Sequence, residues 1–223
     1  MKLSRRFSTI ALNLIVPFVI MSCGKPAMVS RTDTSFGIVK THETAAYNES
    51  LVNRLERLKG SGPITAKGKI RMQKADRNVK GDFSMTIDGE DMSMSVSSKG
   101  ISAGKIELTG LTVRMEPSFD DEYLEYMIAV VIRDSISWWN IHNYDITRSY
   151  GMDVLRNSWK KVYIDPDLVL PRKQIISLTK QRFIKVEYDG LDNGQSKVVP
   201  GTIQFMHGDM KCELLIDSLE VNR

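Results

Sequence analysis

Between residues 64 and 115, apolar and polar side chains alternate. Ile70 and Met72, then Phe83, Met85 and Ile87, then Met92, Met94 and Val96, then Ile106 and Leu108, then Val113 and Met115 each keep one parity. Arg71, Ser84, Thr86, Ser93, Ser95, Glu107 and Arg114 take the other. Successive side chains of a strand point to opposite faces, so the pattern predicts four or five strands with one apolar and one solvated face. Asp88-Gly89, the run 97–104 and Gly110 interrupt it with turn-forming residues, which predicts an antiparallel meander. The run 97–104 is Ser, Lys, Gly and Ala around a single Ile101, and reads as a loop.

The apolar face needs a cover or a ligand, and the remaining chain supplies one or the other. Leu51, Val52, Leu55 and Leu58 form one helical stripe that Gly60 and Gly62-Pro63 terminate, with Thr41 as the expected N-cap. Arg and Glu alternate on the outer face of this helix, which favours packing across the sheet over lying on a membrane. A second helical region begins near Pro117-Ser118. Its Leu124, Met127, Ile128, Val131 and Ile132 are spaced three and four apart, and Trp138, Trp139 and Ile141 continue it. The high hydrophobic content predicts burial; for the Trp pair, sugar or membrane-surface binding is the alternative. Strands follow at 162–164, 174–179, 183–188, 202–206 and 211–221, separated by turns at 165–167 and 207–209 and a flexible loop at 189–194.

The N-terminus carries a different signal. Lys2, Arg5 and Arg6 precede an apolar run at 10–21, too short for a membrane span. The run ends in Ile20-Met21-Ser22-Cys23, which resembles the lipobox of bacterial lipoprotein precursors. The resemblance implies a signal peptide at 1–22, lipidation of Cys23, a polar tether at 23–40 and a single domain at 41–223. Gly24 follows Cys23 where Asp would imply retention at the inner membrane, so the expected location is the periplasmic face of the outer membrane, lipid-anchored.

Charge and chemistry narrow the function. Of the 223 residues, 31 are Lys or Arg and 27 Asp or Glu; without Lys2, Arg5 and Arg6 the excess falls from four to one, so nothing in the charge argues for nucleic acid. His42, His142 and His207 are scattered, with no metal-ligand spacing. Asp88-Gly89-Glu90-Asp91 lacks the spacing of a calcium loop and reads as a hairpin turn. No Gly-x-Ser-x-Gly or phosphate-binding loop occurs. Cys212 sits in an alternating strand and reads as a buried free thiol. The expectation is a monomeric non-enzyme without metal or cofactor.

The order of elements behind the lipobox resembles the LolB/LolA-like outer-membrane lipoprotein receptor family over residues 51–221. Ile64-Thr65-Ala66-Lys67-Gly68-Lys69-Ile70 is similar to the family's first strand. Ile101-Ser102-Ala103-Gly104-Lys105-Ile106-Glu107-Leu108 is similar to its Leu-Gly-x-x-x-Leu-x-Leu segment. Lys185-Val186-Glu187-Tyr188 is similar to a late strand, and Val199-Pro200, Ile203 and Leu214-Leu215-Ile216-Asp217 to the last hairpin. The chain lacks the family's Trp at 183–188 and near Leu219, and its plug is spaced differently.

The resemblance implies a mainly β (α+β) fold: an incomplete antiparallel barrel of about 10–11 strands with an N-terminal helix and a helical plug. Its apolar cavity for acyl chains would be lined by Ile70, Met72, Phe83, Met85, Ile87, Met92, Met94, Val96, Ile106, Leu108 and Val113. Unbranched Met suits a deformable site, although the same residues also suit a filled core. The implied function is binding the acyl chains of lipoproteins received from a periplasmic LolA-like carrier and inserting them in the outer membrane, with Ile101 as the membrane-insertion probe. The alternative is a structural or assembly lipoprotein with a filled core.

Overall fold

The computed structural model describes residues 42–75, 77–177, 182–190 and 199–222, with the backbone alone for 42–50. The expected signal peptide, Cys23, the tether, the Thr41 cap and residues 191–194 of the expected loop lie outside the described residues. By internal contacts the chain divides into Met1–Val39 and Lys40–Arg223, and the core described below lies wholly in the second unit.

Helix α1 (His42–Lys59) comes first, then strands β1 (Ile64–Lys74), β2 (Arg77–Asp88), β3 (Asp91–Ser98), β4 (Ile101–Thr109) and β5 (Thr112–Glu116). Helix α2 (Glu122–Ile136) follows, then β6 (Asp145–Ser149), β7 (Met152–Arg156), β8 (Lys160–Asp165), β9 (Leu170–Ser177), β10 (Phe183–Asp189), β11 (Thr202–His207) and β12 (Met210–Val221). All twelve strands form one sheet in the order β5-β4-β3-β2-β1-β12-β11-β10-β9-β8-β7-β6. Every neighbouring pair is antiparallel. Pairing of β1 with β12 joins the two meanders, whereas β5 and β6 are edges and do not pair. The result is an incomplete antiparallel barrel with a helix on each side of its first meander.

The described residues form twelve strands where about ten or eleven are expected. The sequence reading passed over the hairpin β6–β7, whose turn Tyr150-Gly151 has φ of 52° and 76°. Positive φ at both central residues is the hairpin geometry that matches strand twist. The run 97–104 is not a loop: Lys99 and Gly100 make the same kind of two-residue turn, with φ of 52° and 79°. Ser98 therefore pairs with Ile101, and the run belongs to β3 and β4.

Two glycines let the sheet curl. A Cβ on Gly68 would lie 1.9 Å from the Leu215 carbonyl oxygen, and one on Gly81 would lie 2.2 Å from that of Ser97. Both stand beside register shifts, at Lys67/Gly68 and Val96/Ser97. A bulge bends its strand and raises the local twist, and glycine there admits the close approach of the neighbouring backbone.

Candidate functional site

The concave face carries the residues expected to line a cavity. Ile70, Met72, Phe83, Met85, Ile87, Met92, Met94, Val96, Ile106 and Leu108 are all buried in one apolar cluster; Val113, on edge strand β5, is half-buried against it. Cross-strand pairing sets them in rows: Met85 faces Met94, which faces Ile106, and Ile87 faces Met92, which faces Leu108. The second meander completes the face with Val162, Ile176, Ile184, Val186, Ile203, Phe205, Cys212 and Leu214, all buried. These are residues that the sequence reading did not assign to a site.

Helix α2 fills the concavity. Asp121 caps it, its side chain accepting from the Leu124 N–H at 3.0 Å. Glu125 Oε1 reaches back to the Phe119 N–H at 2.6 Å. From Leu124 onward most side chains on every side of the helix are buried, as a helix enclosed by a sheet requires. The helix ends at Ile136 with Ser137 as its C-cap, and residues 137–139 form a turn, so Trp138, Trp139 and Ile141 do not continue it as expected; the two Trp are nevertheless buried beyond its end, with ring centroids 5.8 Å apart and edge-on. Leu51 and Leu55 of α1 join the same core. Met85, Met94, Leu108, Met127, Ile128 and Ile132 are each less than 2% exposed, so this interior is packed.

Polar groups hold the C-terminal end of the plug to three parts of the sheet. Arg133 reaches the β2–β3 turn, with Nη1 2.7 Å from Glu90 Oε2 and 2.8 Å from the Glu90 carbonyl oxygen. Its Nε and Nη2 both lie 2.9 Å from Asp134 Oδ1. Lys160 of β8 sends Nζ to the carbonyls of Asp134 at 3.5 Å and Asn140 at 3.3 Å, which places a cation at a helix C-terminus. Burial lowers the Lys160 pKa, against the opposing pull of the Asp134 charge.

Tyr188 of β10 lies 3.0 Å from the Ser135 carbonyl oxygen and 2.6 Å from the side-chain oxygen of Gln174 on β9. One hydroxyl proton cannot serve two acceptors. The network is complete when the Gln174 amide turns its Nε2 to the hydroxyl and the proton goes to Ser135. Burial, and secondarily the Asp134 charge, raises the Tyr188 pKa well above its ordinary value. Asp134 Oδ2 is buried and has no hydrogen-bond partner.

Openings among the described residues include two that bear on this body. One, of about 260 Å³, lies between the end of α1 and the end of the plug, lined by Leu58, Ile64, Ile87, Glu90, Trp139 and His142 among others. The other, of about 440 Å³, is a groove on the convex face beside the β3–β4 turn, lined by Lys69, Arg71, Lys80, Asp82, Lys99 and Leu215 among others. Ile101, 74% exposed, follows that turn at the start of β4. It stands at a hairpin tip rather than in a long protruding loop.

Glu90 with its neighbours forms the β2–β3 turn, and Cys212 is buried, with burial and then the Glu213 charge pushing its thiol pKa up to about 12. Among the described residues no cluster of His, Cys, Asp and Glu could hold a metal ion, and no helix is long and apolar enough to cross a membrane.

No family model matches the chain, and no curated protein matches it in sequence. Solved structures do match. The chain is similar to a LolA superfamily protein from Nitrosomonas europaea, at 12% identity and TM-score 0.47, over 78% of this chain and 93% of that one. A DUF1329 family protein from Desulfovibrio piger matches at 11% identity and TM-score 0.45, over 80% and 92%. The Mycobacterium tuberculosis lipoprotein LppX matches at 10% identity and TM-score 0.27, over 80% and 96%.

Proposed function

We propose that this chain is a lipid-anchored envelope protein that binds acyl chains inside its incomplete barrel. It takes lipoproteins from a periplasmic LolA-like carrier and inserts them in the outer membrane, as a binding and transfer protein rather than an enzyme. The observation that carries this reading is the way the interior is closed. An apolar concave sheet, rich in Met on one side, is filled by a helix and not by pairing of its edges. Displacing α2 would open space lined by apolar side chains, able to take acyl chains, without breaking a strand ladder.

The energetics favour such a device. Three acyl chains of about fifteen methylenes, at about 0.8 kcal/mol each, would cost on the order of 36 kcal/mol if exposed to water. Cargo of that kind moves only from one apolar shelter to another. The opening of about 260 Å³ beside Trp139 falls short of the roughly 300–1,000 Å³ of ordinary ligand sites, so loading requires the plug to shift.

A second reading has its own support. The interior is packed, with Met127, Ile128, Ala129, Val131, Ile132 and Ile136 of the plug each at most 1% exposed, as in a structural or assembly lipoprotein. Mass spectrometry of lipid extracted from the folded protein, together with titration by a fluorescent fatty acid, separates the two. Saturable binding displaced by natural acyl chains is expected; absence of both extracted lipid and binding would leave the structural reading. Metabolic labelling with a fatty acid tests the anchor, with label on the wild type and none on Cys23→Ala expected.

A further inference from the structure

The groove on the convex face has an electrostatic feature that the fold does not require. Arg71 of β1 and Lys80 of β2 are directly opposite each other, and both are groove-lining residues. Like charges directly opposed across strands are destabilising. Lys99 of the β3–β4 turn and Lys69 add two more cations to the lining, against the carboxylates of Asp82 and Glu213. Glu213 is already engaged, 3.5 Å from Arg71 and accepting from Gln204 Nε2 at 3.0 Å. Among the described residues no ion pair involves Lys69, Lys80 or Lys99.

The same hairpin shows how such a pair is otherwise handled. Lys74 faces Arg77 near the β1–β2 turn. There Arg77 lies 3.1 Å from Asp120 Oδ2, and the Lys74 ammonium sits 5.4 Å from the centre of the Phe119 ring. Lys80 has no such partner. Its neighbourhood also offers apolar surface, with Leu215 41% exposed in the groove and Ile101 74% exposed two residues beyond Lys99.

We infer that this groove docks the phosphate of an anionic phospholipid headgroup at a membrane surface, beside Ile101, the membrane-insertion probe that the family resemblance already implies. The inference rests on the reading that the protein works at a bilayer. The charge selects the occupant: an anion relieves the Arg71–Lys80 opposition, and the adjoining Ile101 and Leu215 suit a ligand whose phosphate is joined to an apolar layer. Each cation near an anionic leaflet contributes a modest attraction that salt screens.

The test uses residues 40–223, which hold the whole described core and whose folding is verified by circular dichroism, without lipid anchor or cargo, sedimented with vesicles of phosphatidylcholine alone or with about one quarter phosphatidylglycerol. The wild type should bind the anionic vesicles, more weakly at high salt. Lys80→Glu with Lys99→Glu should weaken that binding at least tenfold and leave the residual binding to neutral vesicles unchanged. Lys80→Gln with Lys99→Gln should give an intermediate loss, and Ile101→Glu should reduce binding to both vesicle types. Circular dichroism and fatty-acid titration should be unchanged in both lysine variants. Equal binding of the Glu variant and wild type to anionic vesicles, equal losses on both vesicle types, or a wild type that ignores phosphatidylglycerol would each overturn the assignment. Failure of fatty-acid binding with intact vesicle selectivity would instead overturn the acyl-binding reading and leave the groove.

Discussion

Arg133 in the plug and Glu90 in the β2–β3 turn are 43 residues apart in sequence, and their side chains meet at 2.7 Å. The two ends are unequal: the Arg133 side chain is 8% exposed and that of Glu90 is 62% exposed. The same guanidinium also neutralises Asp134, whose side chain is 2% exposed. Arg133→Met should therefore cost about 3–5 kcal/mol, because it strands a buried carboxylate. Glu90→Gln should cost about 1 kcal/mol or less, as exposed pairs do. Urea unfolding of both variants checks this. Equal costs for the two single variants would mean that Asp134 does not depend on Arg133.

Gly68 and Gly89 separate two reasons for glycine. A Cβ on Gly68 runs into a backbone oxygen, while around Gly89 there is nothing within 4 Å, but φ is +58°. Gly68→Ala should cost at least about 1–3 kcal/mol by overpacking and disturb the β1–β12 register. Gly89→Ala should cost about 1 kcal/mol or less, from conformation alone. Thermal melts rank them, and amide exchange along β12 should rise only in the first.

Cys212 predicts an alkaline instability. Its thiol ionises at about 12 when folded against an ordinary value of 9.0. Below pH 9 both states keep the proton and the group is silent. Between pH 9 and 12 the unfolded chain holds fewer protons, so stability falls as pH rises, by about 1.4 kcal/mol per pH unit from this group. Cys212→Ala should lose some packing at neutral pH but show a shallower alkaline limb in urea midpoints. In the wild type, a thiol reagent at pH 8 should react only after denaturant is added; immediate reaction would show that the side chain is accessible.

Met92 tests the interior. It lies between Ile87 and Leu108 and is 3% exposed. Met92→Leu conserves volume and should cost less than about 1.5 kcal/mol, with fatty-acid binding narrowed because Leu repacks less freely than Met. Met92→Glu puts an unpaired carboxylate on the apolar face and should abolish binding or folding. A folded Met92→Glu protein with wild-type affinity for fatty acid would put the binding site elsewhere.

The first meander was legible because one of its faces is solvated throughout, so parity alone separated Met85, Met92 and Met94 from Ser84, Ser93 and Ser95. Hairpin β6–β7 was not, because β7 buries Asp153, Val154 and Leu155 consecutively and so breaks the period of two. The Tyr150-Gly151 turn was the signal available there. The plug was readable from its spacing and its Trp pair. Its tethers were not: Tyr188 and Ser135 are 53 residues apart, Lys160 and Asp134 are 26 apart, and Lys160 and Gln174 are residue types that usually face water. Opposition of Arg71 and Lys80 depends on register, which a hydrophobic pattern does not specify for two exposed cations.

The unpaired edges β5 and β6 have a mechanical meaning. In a closed barrel, strand number and shear fix the diameter, and widening it means tearing a ladder of hydrogen bonds. Here the circumference is interrupted, so the sheet resembles a split ring whose bore can grow by flexing at the bulges near Gly68 and Gly81 while every strand keeps its partners. If the protein binds acyl chains as proposed, the stiffness of that ring, rather than the strength of any single contact inside it, would set how many hydrocarbon tails it accommodates.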